Sequence, residues 1–107
     1  MRIVAKLGGD LMKGEFPAAL LEDLSRRSQC DELILVHGGG DVVTEVATKL
    51  GKEQRFIVSP EGIRSRYTDR ETVDIYTMVM TGMVAKKLVQ ILAARGIKAV
   101  SISGLDG

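Results

Sequence analysis

The sequence predicts an α/β fold, a three-layer αβα arrangement around a mainly parallel sheet. Short β-branched runs alternate with stretches whose apolar residues repeat at helical spacing, the pattern of βαβ units. One run, Glu32-Leu33-Ile34-Leu35-Val36, is almost continuously apolar, as strands of a parallel sheet covered on both faces are. Two glycine clusters directly follow strands, at the carboxyl edge where such sheets collect ligands.

Taken in order, Arg2 to Leu7 is the first strand, closed by Gly8-Gly9. Pro17 suits a first helical turn, and a helix through Arg27 follows, with Leu20, Leu21 and Leu24 on one face. Glu32 to Val36 is the second strand, and the triple glycine Gly38-Gly39-Gly40 leads into a helix from about Asp41 to Leu50. Gly51 is a suitable residue to end that helix. Lys52 to Arg66 reads as a strand pair or an excursion, with Arg55-Phe56-Ile57-Val58 as its clearest strand and Ser59-Pro60-Glu61-Gly62 as the turn. Thr68-Asp69-Arg70-Glu71 has the spacing of a capping box. The long helix it opens is expected to reach about Arg95, striped by Val73, Tyr76, Met80, Val84, Leu88 and Ile91, with a weak point at Gly82. Gly96 ends it, and Ile97 to Ile102 is expected to be a further strand.

A length of 107 residues suits one domain, and 45% apolar with 27% charged residues is an ordinary globular composition. A formal net charge of +1 argues against a general nucleic-acid or membrane binder. Cys30 stands alone, which excludes an internal disulfide and a Cys-rich metal centre. The first residues turn to charge and glycine too early for a secretory signal, and no apolar run approaches the roughly 20 residues of a membrane span. A cytoplasmic location is therefore expected. The closing Ser103-Gly104-Leu105-Asp106-Gly107 reads as a strand-to-loop turn after which an α/β domain looks unfinished.

Lys6-Leu7-Gly8-Gly9 sets a cation and two glycines at a strand end. Glycine lets backbone amides come close to an anion, and lysine adds a point charge where negative charge builds up. Gly38-Gly39-Gly40 precedes a helix whose free amides and dipole favour an anionic ligand. The loop is not a Walker A sequence, and Val43 stands where a dinucleotide fingerprint needs its third glycine. His37, the one histidine, is read as orienting the loop rather than as a catalytic base. No metal site is expected. Arg64, Arg66 and Arg70 form a basic cluster suited to carboxylate or phosphate recognition, and a solvated basic face is the alternative. Met78, Met80 and Met83 are assigned to helix packing.

Lys6-Leu7-Gly8-Gly9, Val36-His37-Gly38-Gly39-Gly40, Arg66-Tyr67-Thr68-Asp69-Arg70-Glu71-Thr72 and Ser103-Gly104-Leu105-Asp106-Gly107, in this order, resemble the amino-acid kinase family. Ser59-Pro60-Glu61-Gly62-Ile63-Arg64-Ser65-Arg66-Tyr67-Thr68 is similar to the branch acting on 2-aminoadipate or glutamate attached to a LysW-type carrier protein. The resemblance implies an ATP- and Mg²⁺-dependent kinase of lysine or arginine biosynthesis, with residues 1–107 as the N-terminal, substrate-binding portion and the nucleotide-binding portion absent. It implies that Lys6 stabilises the transferring phosphoryl group and that Gly8, Gly9 and Gly38 face the phosphates. Gly39 and Gly40 would bind the substrate, Arg66 its carboxylate end, and Arg64 an acidic carrier. A homo-oligomer formed through the long helix is also expected. N-acetylglutamate kinase and a non-catalytic module holding an acidic ligand are the rival readings. The sequence departs from the family pattern at Asp10, after the first glycine pair, and at Ala85, before Lys86.

Overall fold

A computed structural model describes residues 1–107. Strands β1 (Arg2–Leu7) and β2 (Glu32–His37) pair in parallel, joined by helix α1 (Ala18–Ser28). Helix α2 (Gly40–Lys49) follows β2. Strands β3 (Arg55–Val58) and β4 (Arg64–Tyr67) form a separate antiparallel hairpin. A continuous helical rod then runs from Arg70 to Ala93, composed of α3 (Arg70–Thr77), a π-helical stretch (Met78–Val84) and α4 (Ala85–Ala93). The α/β class and the parallel pairing predicted from the sequence are thus present.

The core draws on every layer. Leu7 from β1, Leu21 and Leu24 from α1, Val43 and Ala47 from α2, and Ile75, Val79, Val84, Leu88 and Leu92 from the rod form one buried cluster. Leu33 and Leu35 of β2 pack against it from the sheet. All the helices therefore gather on one face of the sheet. The opposite face, with Val4 64%, Ile34 46% and Val36 50% exposed, has no covering layer in this chain.

Helix ends follow the expected chemistry closely. Gly51 (φ +79°) and Gly96 (φ +76°) take the left-handed conformation just past α2 and the rod. In both cases the next residue bonds back across the last turn, Lys52 N–H to the Ala47 carbonyl (2.8 Å) and Ile97 N–H to that of Leu92 (3.1 Å). The start of the rod lies one residue later than predicted. Asp69, not Thr68, is the N-cap: its Oδ1 accepts the Thr72 amide at 2.8 Å, while the Thr68 hydroxyl donates to the Arg66 carbonyl.

Three other expectations need correction. The predicted stripe holds at Val84 and Leu88, but in α3 and the first turn of the π stretch the buried residues are Thr72, Ile75 and Val79, each one position before the expected Val73, Tyr76 and Met80. A π turn accommodates one extra residue, so a uniform helical period carried backward from α4 falls out of step by one. Ile97 to Ile102 alternates half-buried and exposed as a strand would, yet it joins no sheet. A strand needs its neighbour about 4.8 Å away, and a cleft of about 420 Å³ lies between β2 and this segment, lined by Ile34, Leu35, Ala99 and Ser101. At 24 residues the rod is also long and apolar enough to cross a membrane by composition, contrary to the sequence expectation, although its buried stripe serves the core.

Candidate active site

The parallel register sets Leu7 opposite His37, so the two glycine turns leave the sheet side by side. The Gly38 amide donates to the Leu7 carbonyl at 3.0 Å and extends the ladder by one bond. The turns then pack backbone on backbone. A Cβ added to Gly9 would lie 3.3 Å from the Gly39 nitrogen, and one added to Gly38 would lie 3.2 Å from the Gly9 nitrogen. This is the close approach that glycine alone permits, and here it is between the two loops themselves.

Gly39 is held from below by the rod. A Cβ at this position would meet Met80 Sδ and Val84 Cγ2, each at 3.1 Å. The π stretch thus forms the floor of the loop, a placement in keeping with the frequent occurrence of π bulges at functional sites. Gly8, by contrast, has open space where a side chain would be. His37 turns its ring back on the loop, its Nδ1–H donating to the Gly38 carbonyl at 3.2 Å, in line with the orienting role expected of it.

Lys6 is exposed near the end of β1 and makes no ion pair. Asp10, the residue least in keeping with an anion site, is the second residue of a short 3₁₀ turn (Gly9–Met12) and directs its carboxylate to solvent. Lys13 lies 3.8 Å from it and pairs more closely with Asp41 at the start of α2. Lys13, and then the more distant Arg64 and Arg66, hold the Asp41 carboxyl below the usual carboxylate range.

The hairpin reaches this centre through Arg66. One Nη donates to the Gly40 carbonyl (2.8 Å) and to Thr44 Oγ1 (3.0 Å), and the other donates to Gln54 Oε1 (2.5 Å). Partial burial draws the Arg66 pKa down from its ordinary value, while Tyr76 opposes the shift. Arg64 lies over the Phe56 ring with its guanidinium carbon 3.7 Å from the centroid, and Arg66 lies beside it at 4.8 Å. Of the three arginines in the predicted cluster, Arg70 stands apart, paired with Asp74 along the helix.

Lys6, Gly8, Gly9, Gly38, Gly39, Gly40 and Arg66 therefore share one edge of the fold, with Arg64 adjoining. The amino acid kinase family, represented as a sequence model, matches residues 1–107. The chain belongs to the amino acid kinase family. Among its relatives within this family, a protein of Nitrosopumilus maritimus is 46% identical over 104 residues, which are 97% of this chain and 39% of that protein. The LysW-aminoadipate/LysW-glutamate kinase of Metallosphaera sedula is 46% identical over 105 residues, 98% of this chain and 38% of the relative. The protein of the same name from Saccharolobus solfataricus is 43% identical over 105 residues, again 98% and 38%. The chain thus spans under two-fifths of the length of the curated relatives it matches.

Sequence reasoning missed Thr44 and Gln54, whose side chains meet Arg66. A single Thr or Gln carries no motif. The available signal was alternation along the hairpin, which sets residues 54, 56, 64 and 66 on one face.

Proposed function

We propose that the chain is the acceptor-binding, N-terminal portion of a kinase that phosphorylates the side-chain carboxylate of 2-aminoadipate or glutamate attached to a LysW-type carrier. The observation that carries this reading is the convergence of both glycine turns with Lys6 and Arg66 at one edge of the sheet. The names of the relatives support the substrate class.

The chemistry needs little from acid–base groups. A carboxylate with a pKa near 4.3 is already ionised at neutral pH. One of its oxygens bonds to the γ-phosphorus of ATP while the bond to the β–γ bridging oxygen breaks, giving an acyl phosphate and ADP. What remains is positioning and charge neutralisation. Lys6 supplies a mobile cation for the γ-phosphoryl, and the amides of Gly8 and Gly9 face the phosphates, while Gly38, whose own amide is bonded to the Leu7 carbonyl, only lines the turn beside them. Gly39 and Gly40 hold the acceptor, Arg66 its carboxylate end, and the exposed Arg64 meets the acidic carrier. The open space at Gly8 and the unpaired Lys6 suit a phosphate chain. Mg²⁺ would be held mainly by the ATP phosphates and water, as is usual for phosphoryl transfer. The rest of the nucleotide site is assigned to the portion of the family's length beyond the match, and the reaction to cytoplasmic lysine or arginine biosynthesis.

In the complete gene product, Lys6→Ala should lower kcat by about 10²–10³-fold with KM for the acceptor changed only a few-fold, because lost transition-state charge stabilisation acts on turnover. Steady-state kinetics on LysW-attached substrate and on free N-acetylglutamate measures this and the acceptor together. Unchanged turnover removes Lys6 from the chemistry, and a preference for free N-acetylglutamate replaces the carrier-bound substrate.

A further inference from the structure

The face of the hairpin that carries Arg66 and Arg64 also carries an uncharged polar residue, Gln54, two positions before Phe56. Because Phe56 pairs with Arg66 in the antiparallel register, alternation brings Gln54 to the same face. The Gln54 amide is oriented from both ends. Its Oε1 accepts from Arg66 Nη1 at 2.5 Å, and its Nε2 donates to the Lys52 carbonyl at 3.5 Å. Flipping the amide would set N–H against N–H at the arginine, so the two contacts enforce one orientation.

Arg66 is the one strand residue of the hairpin whose side chain hydrogen-bonds to α2. Its Nη2 is engaged by Gly40 and Thr44, and one Nη1–H by Gln54, which leaves Nε–H and the second Nη1–H free for an anionic ligand. An arginine can approach a carboxylate in several ways, since its aliphatic stem has several rotatable bonds. Phe56 and the Thr44 and Gly40 contacts restrain the position of the guanidinium, and Gln54 restrains its rotation about the last bonds.

We propose that Gln54 is a positioning residue for acceptor binding, holding the Arg66 guanidinium in the plane that receives the substrate's carboxylate. This rests on the reading of Arg66 as the carboxylate-binding residue. Gln54 touches neither the acceptor nor the phosphoryl group and acts through Arg66.

The test is a double-mutant cycle in the complete gene product, with Gln54→Met, Arg66→Met and the pair, read as KM and kcat for the acceptor. Gln54→Met keeps the length of the side chain and removes the acceptor atom. It should raise KM by about 10–100-fold, the loss of one hydrogen bond to a charged group, with kcat within about 2-fold. Gln54→Glu, which keeps an acceptor, should hold KM within about 3-fold of wild type. Combined with Arg66→Met, Gln54→Met should add nothing further. Additive effects, or loss of kcat and thermal stability in Gln54→Met and Gln54→Glu alike, would assign Gln54 to the hairpin's structure and overturn the proposal. If Arg66→Met raises KM while Gln54→Met does not, only the positioning role is lost. If Arg66→Met leaves KM unchanged, the reading of Arg66 is lost with it.

Discussion

Gly39 shows how much of the site depends on the absence of one side chain. Alanine there would bring its Cβ to 3.1 Å from Val84 Cγ2, a β-branched atom with little rotameric freedom, and from the more yielding Met80 Sδ. Gly39→Ala should therefore destabilise the fold by about 1–3 kcal/mol, the range of overpacked substitutions. Gly8→Ala, with nothing inside 4 Å, should stay within about 0.5 kcal/mol of wild type. Denaturant titration of the two variants side by side measures the contrast, and equal midpoints would show that the loop moves freely off the rod. The glycines and Lys6 were legible in the sequence because their residue types are rare in combination at strand ends. Thr44 and Gln54 were not, since their importance comes from where the hairpin folds back.

The long rod links this centre to the hairpin, and its first turn is tied by charge. Lys52 bonds Asp69 at 2.7 Å and Glu71 at 3.0 Å, anchoring the residues that precede β3 to the N-terminus of α3. Lys52, together with the Thr72 amide, lowers the Asp69 pKa from an ordinary 3.8 to about 2. A carboxyl whose folded-state pKa is depressed stabilises the fold fully above its unfolded value and loses that contribution as pH falls through the folded one. Thermal stability should thus decline between about pH 4 and pH 2, and Asp69→Asn should flatten that decline while lowering Tm at neutral pH. A calorimetric pH series checks both, and an unchanged slope in the variant would remove Asp69 as the source. The rod also marks the limit of pattern reading. Its length and its cap region were evident from spacing, and Gly82 drew attention to the segment that became π-helical. The one-residue shift of the buried face was not evident, because a change from i→i+4 to i→i+5 bonding leaves no compositional trace.

Across the whole molecule, the β1–β2 ladder joins residues about 30 positions apart, and the Gly38 amide is its last rung. The glycine loop is therefore coupled to long-range strand pairing rather than to local turns. Hydrogen exchange should show the Gly38 amide protected to the level of the β1 and β2 amides and opening with them. Exchange at the rate of the neighbouring loops would instead mean that the turn opens independently. The α/β class and the parallel pair were readable from alternation alone. The free stretch from Ile97 to Ile102 was not, because a strand's sequence does not reveal whether a neighbour stands at bonding distance.

The uncovered sheet face has a practical consequence for colloidal behaviour. Val4, Ile34 and Val36 present an apolar surface on a chain whose formal charge is +1 and whose isoelectric point is about 7.9. Charge repulsion between copies is then weakest near neutrality, where the greasy surface is free to drive association. Solutions of the 107-residue chain should stay clearest well away from that isoelectric point, and a polar substitution at Ile34 should widen the clear range.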